Sequence, residues 1–165
     1  MKLSIRDAVA ADASEIAALR TATANELTTR FGKGFWSTNA TEKGVLLAMR
    51  RGRVIVATRA GTIVGTLTLS TWKPWAIDKS YFTRVEKPLY LTSMAVEPNL
   101  QKQGVGRALL EAAEKAARDW PTQAVRLDAF DADAGAGGFY TKCRYKEVGR
   151  ATFRGVPLIY YELLL

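Results

Sequence analysis

The stretch that decides the fold runs from Leu89 to Trp120 and reads LYLTSMAVEPNLQKQGVGRALLEAAEKAARDW. Its apolar start, Leu89–Val96, predicts a strand, and its end, Gly104–Asp119, predicts an amphipathic helix. Pro98 favours an end to the strand, because proline biases the preceding residue toward extended geometry and cannot donate to a β-ladder. Where a strand and a glycine-containing loop lead into a helix, the first backbone N–H groups of the helix have no intrahelical hydrogen-bond partner. The stretch therefore predicts a binding place for an anionic group.

The loop at residues 101–106 (QKQGVG) joins the predicted strand to the helix. It is not a Walker loop, because no Gly-Lys-Ser/Thr sequence ends it. It also lacks the third glycine or alanine of a dinucleotide fingerprint, since the chain has Leu109 three residues after the second loop glycine. The two glycines let the backbone come close to a ligand, and Lys102 and Arg107 add positive charge. By itself the loop does not distinguish an anion site from an ordinary glycine-containing loop.

The composition excludes several classes of site. The chain has 165 residues, 24 lysines and arginines against 16 acidic residues, a formal net charge of +8, one cysteine and no histidine. One cysteine allows no intramolecular disulfide and suits a reducing compartment. Without histidine, triads and metal sites built on imidazole are excluded, so a general base has to be a carboxylate, a tyrosine, an amine or a bound water. We expect no metal.

The charge and hydropathy patterns favour a cytoplasmic protein with a small anionic ligand. A basic balance suits anionic partners, but the basic residues are scattered, and the one tight cluster is Arg50, Arg51 and Arg53. No base-stacking motif or recognition helix is present, so we expect no nucleic acid partner. No apolar stretch has the length of a membrane span, and acidic residues interrupt the N-terminal segment where a signal peptide would be apolar.

Outside the deciding stretch, hydrophobic periodicity and turn residues predict further strands and helices. The predicted strands are Leu3–Arg6, Arg53–Thr58, Thr62–Trp72, Ala124–Ala129, Tyr145–Arg150 and Val156–Leu163. The predicted helices run from about Asp12 to Leu27, from the N-cap Thr41 to Met49, and from Asp133 to Cys143. A hairpin turn at Ala60–Gly61 and the strand–helix–strand order of the second half indicate both antiparallel and parallel pairing. The sequence predicts an α/β fold in one domain over residues 1–165.

Two linked motifs resemble a known family. The first is Met94–Pro98 (MAVEP) with the loop QKQGVG and the helix start RALL, and the second is Val125–Ala129 (VRLDA) with Phe139–Lys142 (FYTK). In this order and at this distance, the chain resembles the GCN5-related N-acetyltransferase (GNAT) superfamily over Leu89–Gly149. The resemblance implies the α/β (α+β) acyl-CoA N-acyltransferase fold. That fold is a single domain whose mixed twisted sheet of six to seven strands is flanked by about four helices.

The resemblance also implies acetyl-CoA as the acetyl donor. The pantetheine arm would pair with the backbone near Met94 and Val96, in an opening between the strands Leu89–Val96 and Ala124–Ala129, and the pyrophosphate would lie on the loop. Tyr140 would protonate the departing thiolate, because the phenol pKa of about 10 suits that transfer. The implied cofactor-binding residues are Met94, Ala95, Val96, Gln101, Lys102, Gln103, Gly104, Val105, Gly106, Arg107, Asp133 and Phe139.

The chain departs from the family pattern in the second motif. Asp133 stands where the family often has an asparagine that contacts pantetheine, and Arg144-Tyr145 stands where it often has Gly-Phe. Cys143 has no imidazole partner, so we expect it to pack as a small apolar residue.

The resemblance implies that the acceptor is an amine, which attacks the thioester directly in a ternary complex. Aromatic residues in the segments Thr28–Ala40 and Lys73–Pro88 suit an apolar or cationic acceptor, although each also suits a place at the sheet edge. These aromatic residues are Phe31, Phe35, Trp36, Trp72, Trp75, Tyr81 and Phe82. The general base is not decided between Glu26, Glu86, Glu97 and Asp128.

Two other functions are compatible with these patterns. One is an acetyl-CoA-binding sensor or regulatory domain without turnover. The other is a basic nucleic-acid-binding module, which the net charge allows but for which no base-stacking motif or recognition helix is present. The sequence does not identify the acceptor amine or the preferred acyl length. It also does not distinguish a monomer from a homodimer.

Overall fold

The structure, a computed structural model, describes residues 2–165 and contains seven strands and four α-helices within them. The strands are β1 (Leu3–Asp7), β2 (Arg53–Arg59), β3 (Thr62–Ser70), β4 (Pro88–Val96), β5 (Ala124–Phe130), β6 (Lys146–Phe153) and β7 (Val156–Leu164). The helices are α1 (Ala13–Phe31), α2 (Glu42–Arg51), α3 (Val105–Asp119) and α4 (Gly137–Lys142). Hydrogen-bonded neighbours follow the order β1-β2-β3-β4-β5-β7-β6, with β4 and β5 parallel. The predicted mixed sheet of six to seven strands with about four helices is confirmed.

The chain divides into two compact units. The first comprises the described residues up to Leu69 together with Ser93–Ala113. In it, β2 pairs antiparallel with both β1 and β3, and the predicted two-residue turn carries positive φ values at Ala60 and Gly61. Residues of α1, α2, β2 and β3 form its core, including Ile16, Leu19, Val45, Val54, Val56 and Ile63. The predicted N-cap of α2 is confirmed, because the Gly44 N–H donates to the Thr41 hydroxyl at 3.1 Å.

Gly65 on β3 sets how closely α3 packs in the first unit. A Cβ atom at this position would lie 2.8 Å from Leu109 Cδ1 and 2.9 Å from Val105 Cγ1. Val105 and Leu109 are both almost completely buried, so the start of α3 lies directly over β3. The small residue therefore positions the N-terminal turn of α3, which follows the glycine loop.

The second unit comprises Ser70–Thr92 and Glu114–Leu165. Parallel pairing joins Pro88–Tyr90 of β4 to Ala124–Arg126 of β5, and β7 pairs antiparallel with β5 and with β6. The β3–β4 loop (residues 71–87) packs on this unit through Tyr160. The Tyr160 hydroxyl donates to the Ala76 carbonyl and accepts from the Asp78 N–H at 3.3 Å. Tyr160 of β7 thus fixes the position of loop residues 76–78.

Several element boundaries differ from the sequence expectation. Helix α1 extends to Phe31, so residues 28–31 of the expected loop are helical. Helix α4 begins at Gly137 and not at Asp133, because a tight turn precedes it. In that turn a Cβ at Gly135 would collide with the carbonyl oxygen of Phe130. Strand β6 continues to Phe153, since it forms a hairpin with β7 through a turn with positive φ at Arg154 and Gly155.

Among the described residues, no helix combines the length and apolar character needed to cross a membrane.

We expect Gly65→Ala to lower the free energy of unfolding by about 1–3 kcal/mol, because the added methyl group overpacks the contact with Val105 and Leu109. Urea denaturation measures this change. Gly138→Ala is the matched control, since a Cβ there meets no atom within 4 Å and the residue is helical. It should keep or raise the stability, by up to about 1 kcal/mol. Equal stability of Gly65→Ala and the wild type would contradict the close packing.

Candidate active site

The carboxyl end of β4 contains a local turn of the backbone. Ser93 has a φ of 55°, in the left-handed region that non-glycine residues rarely adopt. The side chain of Ser93 is exposed, whereas Ala95 is buried and Met94 and Val96 are half-buried. Such a residue re-aims the strand in the manner of a β-bulge. The parallel pairing between β4 and β5 covers Pro88–Tyr90 and ends before this point.

Hydrogen bonds hold the segment that follows β4 in a fixed shape. The Glu97 N–H donates to the Val64 carbonyl at 2.9 Å, and a short 3-10 turn covers Pro98–Leu100. The side chain of Gln103 donates to the Asn99 carbonyl at 3.0 Å. These contacts lie within the first unit and lead the chain into the glycine loop in one conformation.

The glycine loop presents backbone N–H groups at the start of α3. Lys102 and Gly104 have φ values of 62° and 90°, which turn the chain sharply before the helix. The first hydrogen bond of the helical ladder runs from the Ala108 N–H to the Gly104 carbonyl at 3.0 Å. The N–H groups of residues 105–107 therefore precede the ladder, at the positive end of the helix dipole. The first turn of α3 contains no acidic residue.

The loop residues fit the pyrophosphate of a coenzyme A derivative. Lys102, Gly104 and Arg107 are exposed, so two cationic side chains flank the N–H groups. A Cβ at Gly104 would meet no atom within 4 Å, which leaves the backbone accessible from that side. Successive N–H groups of this kind form a concave site for anions. The structure thus brings together the predicted residues Met94–Val96 and Gln101–Arg107 in the first unit.

The second unit holds Tyr140 in an aromatic cluster. Tyr140 lies on α4 and is buried, with ring centroids at 5.4 Å from Phe139, 5.9 Å from Tyr145 and 5.7 Å from Tyr161. Burial, and after it the charge of Asp128, raises the pKa of Tyr140 well above its ordinary value. A phenol with a raised pKa stays protonated at neutral pH, so this side chain is a neutral hydroxyl there and not a base.

Two further predicted residues lie near α4. Phe139 is half-buried and packs edge-on against Tyr140. Asp133 is exposed and lies in the turn four residues before the helix, so the expectation of a helix start at this residue is wrong.

The aromatic residues expected around an acceptor fall into different environments. In the first unit, Phe31 ends α1, and Trp36 donates its indole N–H to the Gly32 carbonyl at 3.0 Å. In the second, the rings of Tyr81 and Phe82 lie 5.3 Å from that of Tyr160. The most exposed of the aromatic residues are Phe35, Trp72 and Trp75.

Tyr145 is a notable residue that sequence reasoning did not assign to the cluster. Its side chain is 3% exposed, and its hydroxyl has no hydrogen-bond partner within the described residues. The signal in the sequence was the departure from Gly-Phe to Arg144-Tyr145. Its ring packs against Tyr140, so it helps to shape the pocket around that phenol.

The sequence profile of the acetyltransferase (GNAT) family matches residues 16–145. The chain belongs to this family. As a member it is an acyltransferase that uses acetyl-CoA, which agrees with the fit of the glycine loop to a pyrophosphate.

Solved structures share the fold of this acetyltransferase at low sequence identity. An N-acetyltransferase from Staphylococcus aureus Mu50 is 17% identical with a TM-score of 0.75, covering 99% of each chain. The ribosomal-protein-alanine N-acetyltransferase from Brucella melitensis is 18% identical with a TM-score of 0.73, over 98% of this chain and 99% of that one. The protein yncA from Salmonella typhimurium, solved with its cofactor acetyl-CoA, is 17% identical with a TM-score of 0.72, over 99% and 94%. No curated protein sequence matches the chain.

We expect Tyr145→Phe to keep or raise the free energy of unfolding at neutral pH, by up to about 1–3 kcal/mol, because it removes a buried hydroxyl without a partner. Burial also raises the pKa of Tyr145, so the folded protein keeps a proton that the unfolded chain releases above pH about 10. Stability due to this group is present below that pH and is lost as pH rises above it. Thermal unfolding between pH 8 and 11 should therefore show a weaker alkaline loss of stability in the variant. A stability loss at neutral pH would indicate a hydroxyl partner.

Proposed function

We propose that this protein is an N-acetyltransferase that transfers the acetyl group of acetyl-CoA to a primary amine of a small molecule or peptide. The observation that carries this proposal is the preformed glycine loop, with left-handed Lys102 and Gly104 ahead of α3. The amine attacks the bound thioester directly in a ternary complex, so positioning supplies much of the rate and no protein nucleophile is needed. Both compact units contain part of β4 and part of α3, which supports one domain over residues 1–165.

The donor half of the proposed site lies on β4 and the glycine loop. The backbone of Met94–Val96 lies beyond the recorded β4–β5 pairing and would pair with the pantetheine amides as an added strand. The N–H groups of residues 105–107, with Lys102 and Arg107, would hold the pyrophosphate. A backbone N–H near Met94 would stabilise the oxyanion that forms on the thioester carbonyl.

Tyr140 is the proposed general acid. When the carbon–sulfur bond breaks, the thiolate takes the electron pair, and the Tyr140 hydroxyl gives it a proton. The burial that raises the pKa of this phenol keeps it protonated until the thiolate forms. Its neighbours Phe139, Tyr145 and Tyr161 restrict the ring on three sides and so hold its orientation.

The two ribosomal-protein-alanine N-acetyltransferases among the structural neighbours are 16–18% identical to this chain. Such identities indicate a shared fold and do not identify the acceptor. A sensor or regulatory domain without turnover is the alternative function. Release of free thiol from acetyl-CoA in the presence of a panel of primary amines separates the two, because a sensor binds the cofactor and releases none.

We expect Gly104→Val to abolish measurable binding of acetyl-CoA in isothermal titration calorimetry. A β-branched residue is strained at a φ of 90°, and relief of the strain would turn the loop N–H groups away from the ligand. Gly61→Val is the matched control, because Gly61 has a φ of 81° in the β2–β3 turn and also has no atom within 4 Å of an added Cβ. It should cost stability but preserve the affinity. An unchanged Kd for Gly104→Val would show that the loop does not hold the cofactor.

We expect Tyr140→Phe to lower kcat by roughly 10²- to 10⁴-fold, the usual range for loss of a general acid. The Kd for acetyl-CoA should stay near the wild-type value, since the ring and its packing remain. Free thiol release and calorimetry measure the two quantities. Tyr145→Phe, in the same aromatic cluster, is the control and should leave kcat near the wild-type value. A wild-type rate in Tyr140→Phe would remove this residue from the mechanism.

A further inference from the structure

A half-buried carboxylate on β5, that of Asp128, has no partner among residues 2–165. Asp128 lies opposite Tyr160 of β7 in the antiparallel register. Within the described residues its carboxylate makes no hydrogen bond and no ion pair, although the side chain is half-buried. A partly desolvated carboxylate without a partner gains from an incoming cation, so Asp128 is a candidate for binding a positively charged ligand.

The nearest cation on the same strand face is already committed. Arg126 lies two residues before Asp128, on the same face of β5. Its Nε donates to Glu162 Oε2 at 3.2 Å, and a terminal nitrogen donates to the Thr83 carbonyl at 2.6 Å. Both partners of this ion pair are almost completely buried. Arg126 therefore serves Glu162 and the β3–β4 loop, and Asp128 is left without a counter-ion.

Asp128 and Tyr140 lie on opposite faces of β5. Asp128 shares the face of its register partner Tyr160, whereas the ring of Tyr140 packs on Tyr161, the next residue of β7. After burial, the charge of Asp128 is the next contribution to the raised pKa of Tyr140. A proton acceptor and a proton donor thus lie on the two sides of one strand.

The face that carries Asp128 also carries aromatic rings. Tyr160 is buried there, and the rings of Tyr81 and Phe82 pack on it at 5.3 Å. Phe130 lies two residues after Asp128 and packs on the same cluster. A carboxylate beside aromatic faces is complementary to an organic ammonium ion, through charge and through cation–π attraction.

We propose that Asp128 is the group that binds the ammonium of a cationic amine acceptor and takes its proton. This inference rests on the proposed N-acetyltransferase function and adds to it the residue that receives the acceptor.

The proton and electron transfers balance without another reactant. An N–H bond of the ammonium breaks, its electron pair stays on nitrogen, and Asp128 takes the proton. The nitrogen lone pair forms the C–N bond with the thioester carbon, the C–S bond breaks toward sulfur, and Tyr140 gives the thiolate its proton. The second nitrogen proton passes to solvent, which also reprotonates the Tyr140 phenolate. Asp128 then releases its proton to solvent, leaving the amide and the free thiol.

The surroundings of Asp128 support this role. Burial raises its pKa above the ordinary value, which brings a carboxylate closer to the neutral range where a general base works best. The titratable and charged groups that face this side of β5 are Arg126, Glu162, Tyr90, Tyr160, Tyr81 and, from the β3–β4 loop, Asp78 and Lys73, with Tyr140 across the strand. Arg126 pairs with Glu162, and Asp78 accepts a hydrogen bond from Ser80 and lies in the field of Lys73. Asp128 therefore keeps an unpaired charge for an incoming amine.

The test uses acetyl-CoA with phenethylamine or 1,5-diaminopentane as the acceptor. We expect Asp128→Asn to lower kcat/KM for the amine by roughly 10²- to 10⁴-fold and to remove the fall in rate at acidic pH. The Kd for acetyl-CoA should stay near the wild-type value, and the stability should not decrease, because the variant removes an unpaired charge. Asp128→Glu should restore part of the rate. In parallel, the carboxyl ¹³C resonance of Asp128 should shift when either amine is added to the complex with coenzyme A.

Three variants serve as controls and rivals. Asp131→Asn, one residue beyond β5 and ion-paired with Arg150 at 3.3 Å, should retain the wild-type rate. The proposal would be overturned if the fall in rate at acidic pH disappeared in Glu26→Gln or Glu97→Gln but persisted in Asp128→Asn. An unshifted Asp128 resonance with both amines, in a protein that binds acetyl-CoA, would overturn it as well. Failure of the wild type to bind acetyl-CoA would instead overturn the proposed function itself.

Discussion

The buried ion pair between Arg126 and Glu162 is the interaction on which the second unit depends. It joins β5 to β7, and through Thr83 it holds the β3–β4 loop, because the Thr83 carbonyl accepts from Arg126 and the Thr83 N–H donates to Glu162 at 3.2 Å. The guanidinium also lies over the Phe82 ring, 5.0 Å from its centroid. The free-energy penalty for removing two charges from water offsets much of the free energy gained from their attraction. The pair therefore constrains the geometry of the unit more than it stabilises it.

That constraint has chemical consequences. With Arg126 committed to Glu162, no cation of β5 neutralises Asp128, and the carboxylate remains available to a ligand. The same loop contributes Tyr81 and Phe82, whose rings build the aromatic side of the face. Burial then acts on both proposed catalytic groups in one direction, since it raises the pKa of Asp128 and of Tyr140. A carboxylate with a raised pKa accepts a proton more readily near neutral pH, and a phenol with a raised pKa stays protonated at that pH.

Much of the fold could be predicted from local sequence. The strands, the turn at Ala60–Gly61, the N-cap at Thr41 and the helix after the glycine loop all depend on periodicity or on residues with special backbone preferences. The boundary of α4 could not be predicted, because its start depends on a turn packed against the Phe130 carbonyl. The extension of α1 through Phe31 was missed although a local signal marks its end: Gly32 follows the helix with a φ of 82°, and its N–H donates to the Thr28 carbonyl.

For the site, the sequence by itself was enough to predict the glycine loop as the donor site and Tyr140 as the acid. Left-handed φ values at Lys102 and Gly104 and free N–H groups at a helix start are local properties that a short motif encodes. Only the tertiary structure decided that, within the part of the chain it describes, Asp128 is half-buried without a counter-ion and the Tyr145 hydroxyl is buried without a hydrogen-bond partner. The physical reason is that burial and charge pairing depend on residues distant in the chain. Arg126 meets Glu162 across 36 positions, and no local pattern records that contact.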